Sequence, residues 1–322
     1  MEGRPVFVLF GPTASGKTEL LSGLFSERGR KTPSVEIVSA DSMQVYRGMD
    51  IGTAKPSLEL RRRFPHHLID IRNPGEQFNA GDFVRLAGQA CADIHSRGKL
   101  PVVSGGTGFY LKNFILGLSG APPSDPAVRD ALKKELAEKG AEALMEELAE
   151  KDGESAARIH VNDIYRLLRA LEVLRLSGRP LSSFALHGTP PPCRFLVVEL
   201  SRPREELYGR IEKRCAEMFR LGLADEVEGL FRKGYTPEDP GMRAIGYREF
   251  FVGDQPPSAE KTWRLSGDID GVMELVIRDS RRYAKRQLTF FASIPKVVKV
   301  PPEGAFDRIL DLLSALLHTQ QS

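Results

Sequence analysis

Residues Gly11-Pro12-Thr13-Ala14-Ser15-Gly16-Lys17-Thr18 fit the pattern G-x-x-x-x-G-K-[ST] and lie between the apolar run Val6 to Phe10 and a helical pattern, the context this motif requires. Their chemistry is phosphate binding. Gly11 and Gly16 let the backbone N–H groups of Thr13, Ala14 and Ser15 turn inward around phosphate oxygens. The helix N-terminus adds partial positive charge, and Lys17 neutralises a terminal phosphate. Thr18 is placed to hold Mg2+ through its hydroxyl. The loop recognises a diphosphate and does not say what is attached to it, so ATP, GTP and a prenyl diphosphate all satisfy it.

The next apolar run, Val35 to Ala40, ends in Asp41-Ser42-Met43-Gln44-Val45-Tyr46. That puts a carboxylate at a strand's carboxyl end, close to the phosphate loop if the strands are neighbours. Asp41 is therefore a candidate general base, with a capping or magnesium-associated aspartate as the alternative. Asp70, closing His67-Leu68-Ile69-Asp70, has the apolar-run-plus-acid form that helps hold magnesium in nucleotide hydrolases. His66 and His67 alternate across a strand, which argues against a shared metal. Cys91, Cys193 and Cys215 are far apart and suit reduced thiols, with neither a disulfide framework nor a zinc cluster.

These groups need elements to position them. Val6 to Phe10, Val35 to Ala40, His67 to Ile71 and Leu100 to Ser104 read as buried strands. Between the last two, Phe83, Ala87, Ala90, Cys91 and Ile94 recur at helical spacing, which makes a βαβ unit. Right-handed crossovers then line the loops after the strands along one edge of a parallel sheet, where ligands bind. After Gly120 the string Ala121 to Pro126 breaks the pattern, and the chain reads as helical to about Leu186. Pro190-Pro191-Pro192 closes that stretch, and Phe195 to Leu200 resumes as a strand. A long helix with Leu207, Ile211, Met218 and Leu221 on its apolar side follows, then a strand at Lys296 to Val300 and an amphipathic helix from Phe306 to Leu317. The expected architecture is α/β: a P-loop NTPase-like parallel sheet flanked by helices, from residues 1–120 and 190–322, with an inserted all-helical module at 121–189.

Composition bounds the function. Over 322 residues, hydrophobic residues make up 41% and charged residues 28%, and no apolar run approaches the roughly 20 residues a membrane helix needs. Met1 leads directly into Val6 to Phe10, so no leader peptide, no membrane association and a cytoplasmic location are expected. A net charge of +3 does not announce a nucleic-acid partner, but it conceals polarity: Asp130 to Glu154 is acidic, whereas Arg158 to Arg179 and Arg278 to Arg286 are strongly basic.

Longer motifs narrow the chemistry. After the phosphate loop come Asp41 through Pro56, Gly105-Gly106-Thr107-Gly108-Phe109-Tyr110, and Asn162-Asp163 with Arg166, Arg169, Ala170, Leu171 and Glu172. Then follow Arg210-Ile211-Glu212-Lys213-Arg214, Ala244-Ile245-Gly246-Tyr247-Arg248-Glu249 and Ala284-Lys285-Arg286-Gln287-Leu288-Thr289. Together they resemble the tRNA dimethylallyltransferase family, in the expected order and over nearly the whole chain. The resemblance implies a magnesium-dependent transfer from dimethylallyl diphosphate to N6 of the adenosine 3′ of the anticodon, in tRNAs reading codons that begin with U. On that likeness the loop holds the prenyl donor, Asp41 is the general base, and Thr107 and Arg214 steady the diphosphate. Ser42, Met43, Gln44, Thr107, Arg129, Arg166, Arg169, Arg243, Gly246, Tyr247, Arg248 and Gln287 are expected along the RNA, with Asp41 at the target base. Where the family pattern leads one to expect Thr-Trp-Phe, this chain has Thr289-Phe290-Phe291, and no zinc-finger-like tail follows, as in the bacterial branch.

Arg278, Arg281, Arg282, Lys285 and Arg286 recur at three-to-four spacing, so a helix carries them as one basic stripe able to track a phosphate backbone. Arg166 and Arg169, with Arg158 upstream, offer a second contact. Two such surfaces would clamp the tRNA anticodon stem-loop, and the target base must then leave its stack to reach Asp41. The expectation is a monomer with a channel, RNA entering at one mouth and the donor at the other. A small-molecule P-loop kinase would share Lys17, Thr18 and an acid near Asp41 but needs no basic helical module. An enzyme that prenylates free AMP or ADP is disfavoured by the same module. A non-catalytic RNA adaptor has no use for a phosphate loop beside Asp41.

Overall fold

The computed structural model describes residues 3–26, 33–254 and 262–318. In chain order the elements begin with β1 (Arg4–Phe10), α1 (Lys17–Leu24), β2 (Val35–Ser39), α2 (Leu58–Arg63), β3 (His66–His67) and α3 (Ala80–Ser96). Next are β4 (Leu100–Gly105), α4 (Gly108–Leu116), α5 (Pro126–Lys151), α6 (Gly153–Arg158), α7 (Ile164–Ser177) and β5 (Cys193–Leu200). Then come α8 (Arg204–Arg220), α9 (Leu223–Arg232), β6 (Phe251–Asp254), β7 (Thr262–Leu265), α10 (Ile269–Phe291), β8 (Val297–Val300) and α11 (Ala305–His318).

Six strands form one parallel sheet in the order β3-β2-β4-β1-β5-β8. β1 is central, and Val6 through Phe10 are fully buried, as a near-continuous apolar run must be in a sheet covered on both faces. Phe7 and Leu9 point to one face, where Leu21 and Leu24 of α1 and Ile309 and Leu313 of α11 close a core with Val35, Ile37 and Val102. Phe10 points to the other and meets Phe291 of α10 edge-on, ring centroids 4.8 Å apart. Each such buried side chain contributes about 1.5–3 kcal/mol relative to exposure. The register aligns Phe10 with Gly105 and Glu199, so the loops after β1, β2 and β4 leave from one edge of the sheet.

The chain divides into two compact units, residues up to Ile115 together with Pro191 onward, and Leu116–Pro190. The second is all helical. Asp125 caps α5 through Val128 N–H, Gly140 at φ 84° interrupts that helix, and Gly178 at φ 67° ends α7. Its own core joins Leu132, Leu144 and Leu148 of α5 to Leu167, Leu168 and Leu171 of α7.

Two expectations for the first unit need correction. The strand expected at His67 to Ile71 ends at His67, because Leu68 (φ 63°) and Asp70 (φ 57°) turn into the left-handed region and the chain leaves the ladder. Leu221, expected on the apolar side of α8, follows its last turn and is 55% exposed; Leu207, Ile211, Cys215 and Met218 form the buried stripe. The β6–β7 antiparallel pair was not anticipated at all.

Candidate active site

The loop between β1 and α1 is bent by two residues of positive φ, Ala14 (62°) and Gly16 (97°). It is fastened from several sides. Lys17 Nζ donates to Gly11 O and Pro12 O, both at 2.9 Å. Arg202 Nε donates to Ser15 O at 2.6 Å, and Arg210 Nε of α8 to Ala14 O at 2.8 Å. Gln287 of α10 accepts from Thr13 N–H at 2.9 Å and donates to Gly106 O at 2.7 Å. A Cβ at Gly106 would lie 2.5 Å from that amide, so the second glycine of the Gly-Gly-Thr-Gly run is what admits the tether.

Over this loop lies a cavity of about 500 Å³ lined by Thr13 through Thr18, Asp41, Gln44, Thr53, Arg210, Lys213, Arg214, Tyr283 and Gln287. A second cavity, about 270 Å³, has an apolar wall of Ile211, Met218, Val276, Ala244 and Ile245. Ser42, Met43, Gly246, Arg243, Arg248 and Arg286 also line it. The two share Thr13, Asp41, Thr53, Arg214 and Tyr283. Those shared residues stand where the two cavities border each other, a place we call the neck.

The neck is short of negative charge. Burial, reinforced by the Arg214 guanidinium and opposed by Asp41, holds the Lys17 ammonium down at about 7. Burial likewise lowers Arg214, with Asp41 pulling the other way. These two buried basic groups against one carboxylate leave net positive charge for an anion to meet, and a phosphate group of a diphosphate supplies it. Asp41 Oδ1 accepts from Met43 N–H at 2.8 Å and Gln44 N–H at 3.3 Å, which fixes the carboxylate at the end of β2. Gln44 is itself held by Ser39 Oγ at 3.0 Å and by donating to Thr53 O at 3.2 Å.

Thr107 lines neither cavity. It stands behind Asp41, its Oγ1 accepting from Ser42 N–H at 3.0 Å and its N–H donating to Ala40 O at 3.1 Å, at the start of α4. Asp70 is not at the phosphate loop either: it accepts from Lys55 Nζ at 2.6 Å and Arg61 at 2.8 Å and anchors the segment that follows β3. His66 lines the first cavity, whereas His67 pairs with the buried Glu36 at 2.7 Å.

Four residues expected along RNA have other partners. Tyr247 is fully buried, its hydroxyl donating to Glu226 at 2.6 Å. Glu226 also accepts from the amides of Asp50, Ile51 and Gly52 at 2.9, 2.8 and 3.1 Å, and a Cβ at Gly52 would meet the Tyr247 ring at 2.5 Å. The two sequence motifs containing Gly52 and Tyr247 thus hold each other, which keeps Thr53 in the cavity wall. Gln287, 5% exposed, is the loop tether already described. Within the helical unit, Arg129 and Arg169 both turn to the buried carboxylate of Glu172, at 3.5 and 2.8 Å. Arg166 of that unit is 71% exposed beside Asp163.

On α10, Arg278 and Arg282 share Asp279 with Arg248 at 2.9, 3.4 and 3.0 Å. Lys285 and Arg286 are exposed, and Arg243 donates to Glu238 O at 2.8 Å.

A model of the family described as IPP transferase matches residues 44–294. The chain belongs to the IPP transferase family. A "tRNA dimethylallyltransferase" of Geobacter sulfurreducens is 45% identical over 94% of this chain and 93% of its own length. A "tRNA dimethylallyltransferase 2" of Geotalea uraniireducens is 48% identical over 89% of this chain and 88% of its own. Among solved structures, a tRNA isopentenylpyrophosphate transferase from Bacillus halodurans aligns with a TM-score of 0.67 and 33% identity, over 98% of this chain and 97% of that one. In this IPP transferase the sequence reading missed Arg202, Arg210, Lys213 and Tyr283. Arg210 had a signal: it lies four residues before Arg214, on the same face of α8.

Magnesium fits without a dedicated cage. Among the described residues no group of three His, Cys, Asp or Glu could hold a metal. Mg2+ keeps several waters and takes one or two protein oxygens beside phosphate oxygens, and Thr18 and Asp41 line the same cavity.

Proposed function

We propose that the chain is a tRNA dimethylallyltransferase acting on N6 of the adenosine 3′ of the anticodon in tRNAs that read U-initial codons. The observation that carries the reading is the neck, where Asp41 and Arg214 belong to both the phosphate-loop cavity and the apolar cavity beside it. The diphosphate lies on the amides of Gly11 to Thr18 with Lys17 and Arg214 as counter-charges, and the allyl group points into the neck. Thr18 would hold Mg2+, which would supply further charge neutralisation at the phosphates. The target base, unstacked from the loop of the RNA, enters the second cavity.

An exocyclic adenine amine is a weak nucleophile because its lone pair is delocalised into the ring. Asp41 removes its proton as the new C–N bond forms. The allylic C–O bond breaks, its electron pair goes to the bridging oxygen, and fixed donors stabilise that charge where water is excluded. Thr107 contributes by holding the Ser42 amide next to Asp41. Arg243, Arg248, Arg278, Arg282, Lys285 and Arg286 in the first unit, and Arg158 and Arg166 in the helical one, meet the RNA backbone. A single chain supplies both cavities, so a monomer suffices.

The test is labelled dimethylallyl diphosphate offered with unmodified tRNA, with free AMP, or alone. Label on tRNA only is expected. Label on AMP but not tRNA would indicate a nucleotide prenyltransferase, and transfer of phosphate from ATP to a small molecule would indicate a kinase.

A further inference from the structure

Tyr283 has no role in the mechanism so far, yet it lines both cavities and stands among the residues of the neck. It lies on α10, one turn before Gln287, and its hydroxyl interacts with the side chains of Thr107 and Gln287. Gln287 uses its oxygen on Thr13 N–H and one amide hydrogen on Gly106 O, which leaves the second hydrogen to donate. The Thr107 oxygen accepts from Ser42 N–H, which leaves its hydroxyl hydrogen to donate. In the arrangement in which both neighbours donate to the phenol oxygen, its acceptor sites are filled. The phenol's own hydrogen is left for the neck.

We propose that Tyr283 is a further catalytic residue that donates its phenol O–H to the bridging oxygen of the departing diphosphate. The inference rests on the transfer reaction proposed above. As the allylic C–O bond breaks, the electron pair settles on that oxygen and the Tyr283 hydrogen bond strengthens. The proton stays on Tyr283, while the N6 proton goes to Asp41. Burial and the charge of Asp41 push the phenol up to about 12, so it keeps its hydrogen at neutral pH. Held by Thr107 on one side and Gln287 on the other, it needs no reorganisation as charge develops, which is the condition under which such a donor is effective.

The test is Tyr283→Phe, which keeps the ring that walls the neck and removes only the hydroxyl. With both substrates saturating, the single-turnover rate is expected to fall roughly 10²-fold, as for loss of one such donor. The tRNA dissociation constant should stay unchanged, and inhibition by inorganic diphosphate should weaken severalfold. A rate within twofold of the unsubstituted chain overturns the proposal. So does a loss confined to tRNA affinity, or a slower rate with undiminished inhibition by diphosphate, which would make the phenol a wall for the acceptor base. An unsubstituted chain that transfers nothing to tRNA removes the reaction itself, and this proposal with it.

Discussion

The floor of the neck and the basic stripe of α10 both carry concentrated positive charge, but they are built differently. In the floor each group has a defined partner: Lys17 on two carbonyls, Thr13 N–H on Gln287, Ala14 O and Ser15 O under two arginines. On the stripe, Arg278 and Arg282 share one carboxylate with Arg248, and their side chains are 50%, 63% and 43% exposed. A fixed floor stabilises charge without rearranging at the moment of reaction. On the stripe the arginine ends are exposed, although the Asp279 they share is 13% exposed, so they are open to phosphate and their attraction for it is screened by salt. On the proposed function, chemistry belongs to the first region and RNA affinity to the second.

Four substitutions can break or sharpen this contrast. Asp41→Asn should slow transfer by roughly 10² to 10⁴ while tRNA affinity holds; equal losses of rate and affinity would make Asp41 a binding residue. Gln287→Ala leaves Thr13 N–H and Gly106 O without their tether, at about 1–3 kcal/mol for each buried group left unpaired. It should lower the denaturant midpoint and raise KM for the donor, and a loss of tRNA affinity alone would return Gln287 to the RNA surface.

The third substitution concerns pH. Lys17 in the folded protein is held at about 7 against an ordinary 10.5, so between those values the unfolded chain binds the extra proton and stability should rise with pH. Below that window both states are protonated and the penalty is fully present. Lys17→Met should flatten the rise in unfolding midpoint between pH 7 and pH 9.5; a slope as steep as before would place the lysine in a solvated setting. The smallest effect belongs to the stripe. Arg282→Ala should weaken all tRNAs alike and reduce the log–log salt slope by about 0.7 to 0.9 for one lost phosphate contact, and an unchanged slope would remove Arg282 from the interface.

The phosphate loop was legible because its signal is local: eight consecutive residues between a strand and a helix. Asp41 was legible for the same reason, as the first polar residue after a buried strand. What escaped depends on contacts distant in sequence. Gln287 serves Thr13, 274 positions away, and Arg202 serves Ser15, 187 positions away, and nothing in the local sequence of either announces the contact. Tyr247 was expected along the RNA on the family likeness, but the Glu226 carboxylate and the absence of a side chain on Gly52 bury it. The overextended third strand failed because Lys55 and Arg61 hold Asp70 in a turn that no local pattern announces.

The central claim is that one neck brings a diphosphate ester and an extruded purine together at Asp41. A crystal structure with a non-hydrolysable dimethylallyl diphosphate analogue and an anticodon stem-loop tests it directly. The account predicts both phosphates on the amides of Gly11 to Thr18 and the adenine N6 within roughly 3 Å of the Asp41 carboxylate. A diphosphate bound away from that loop, or a purine whose N6 faces the solvent side of the second cavity, would contradict it.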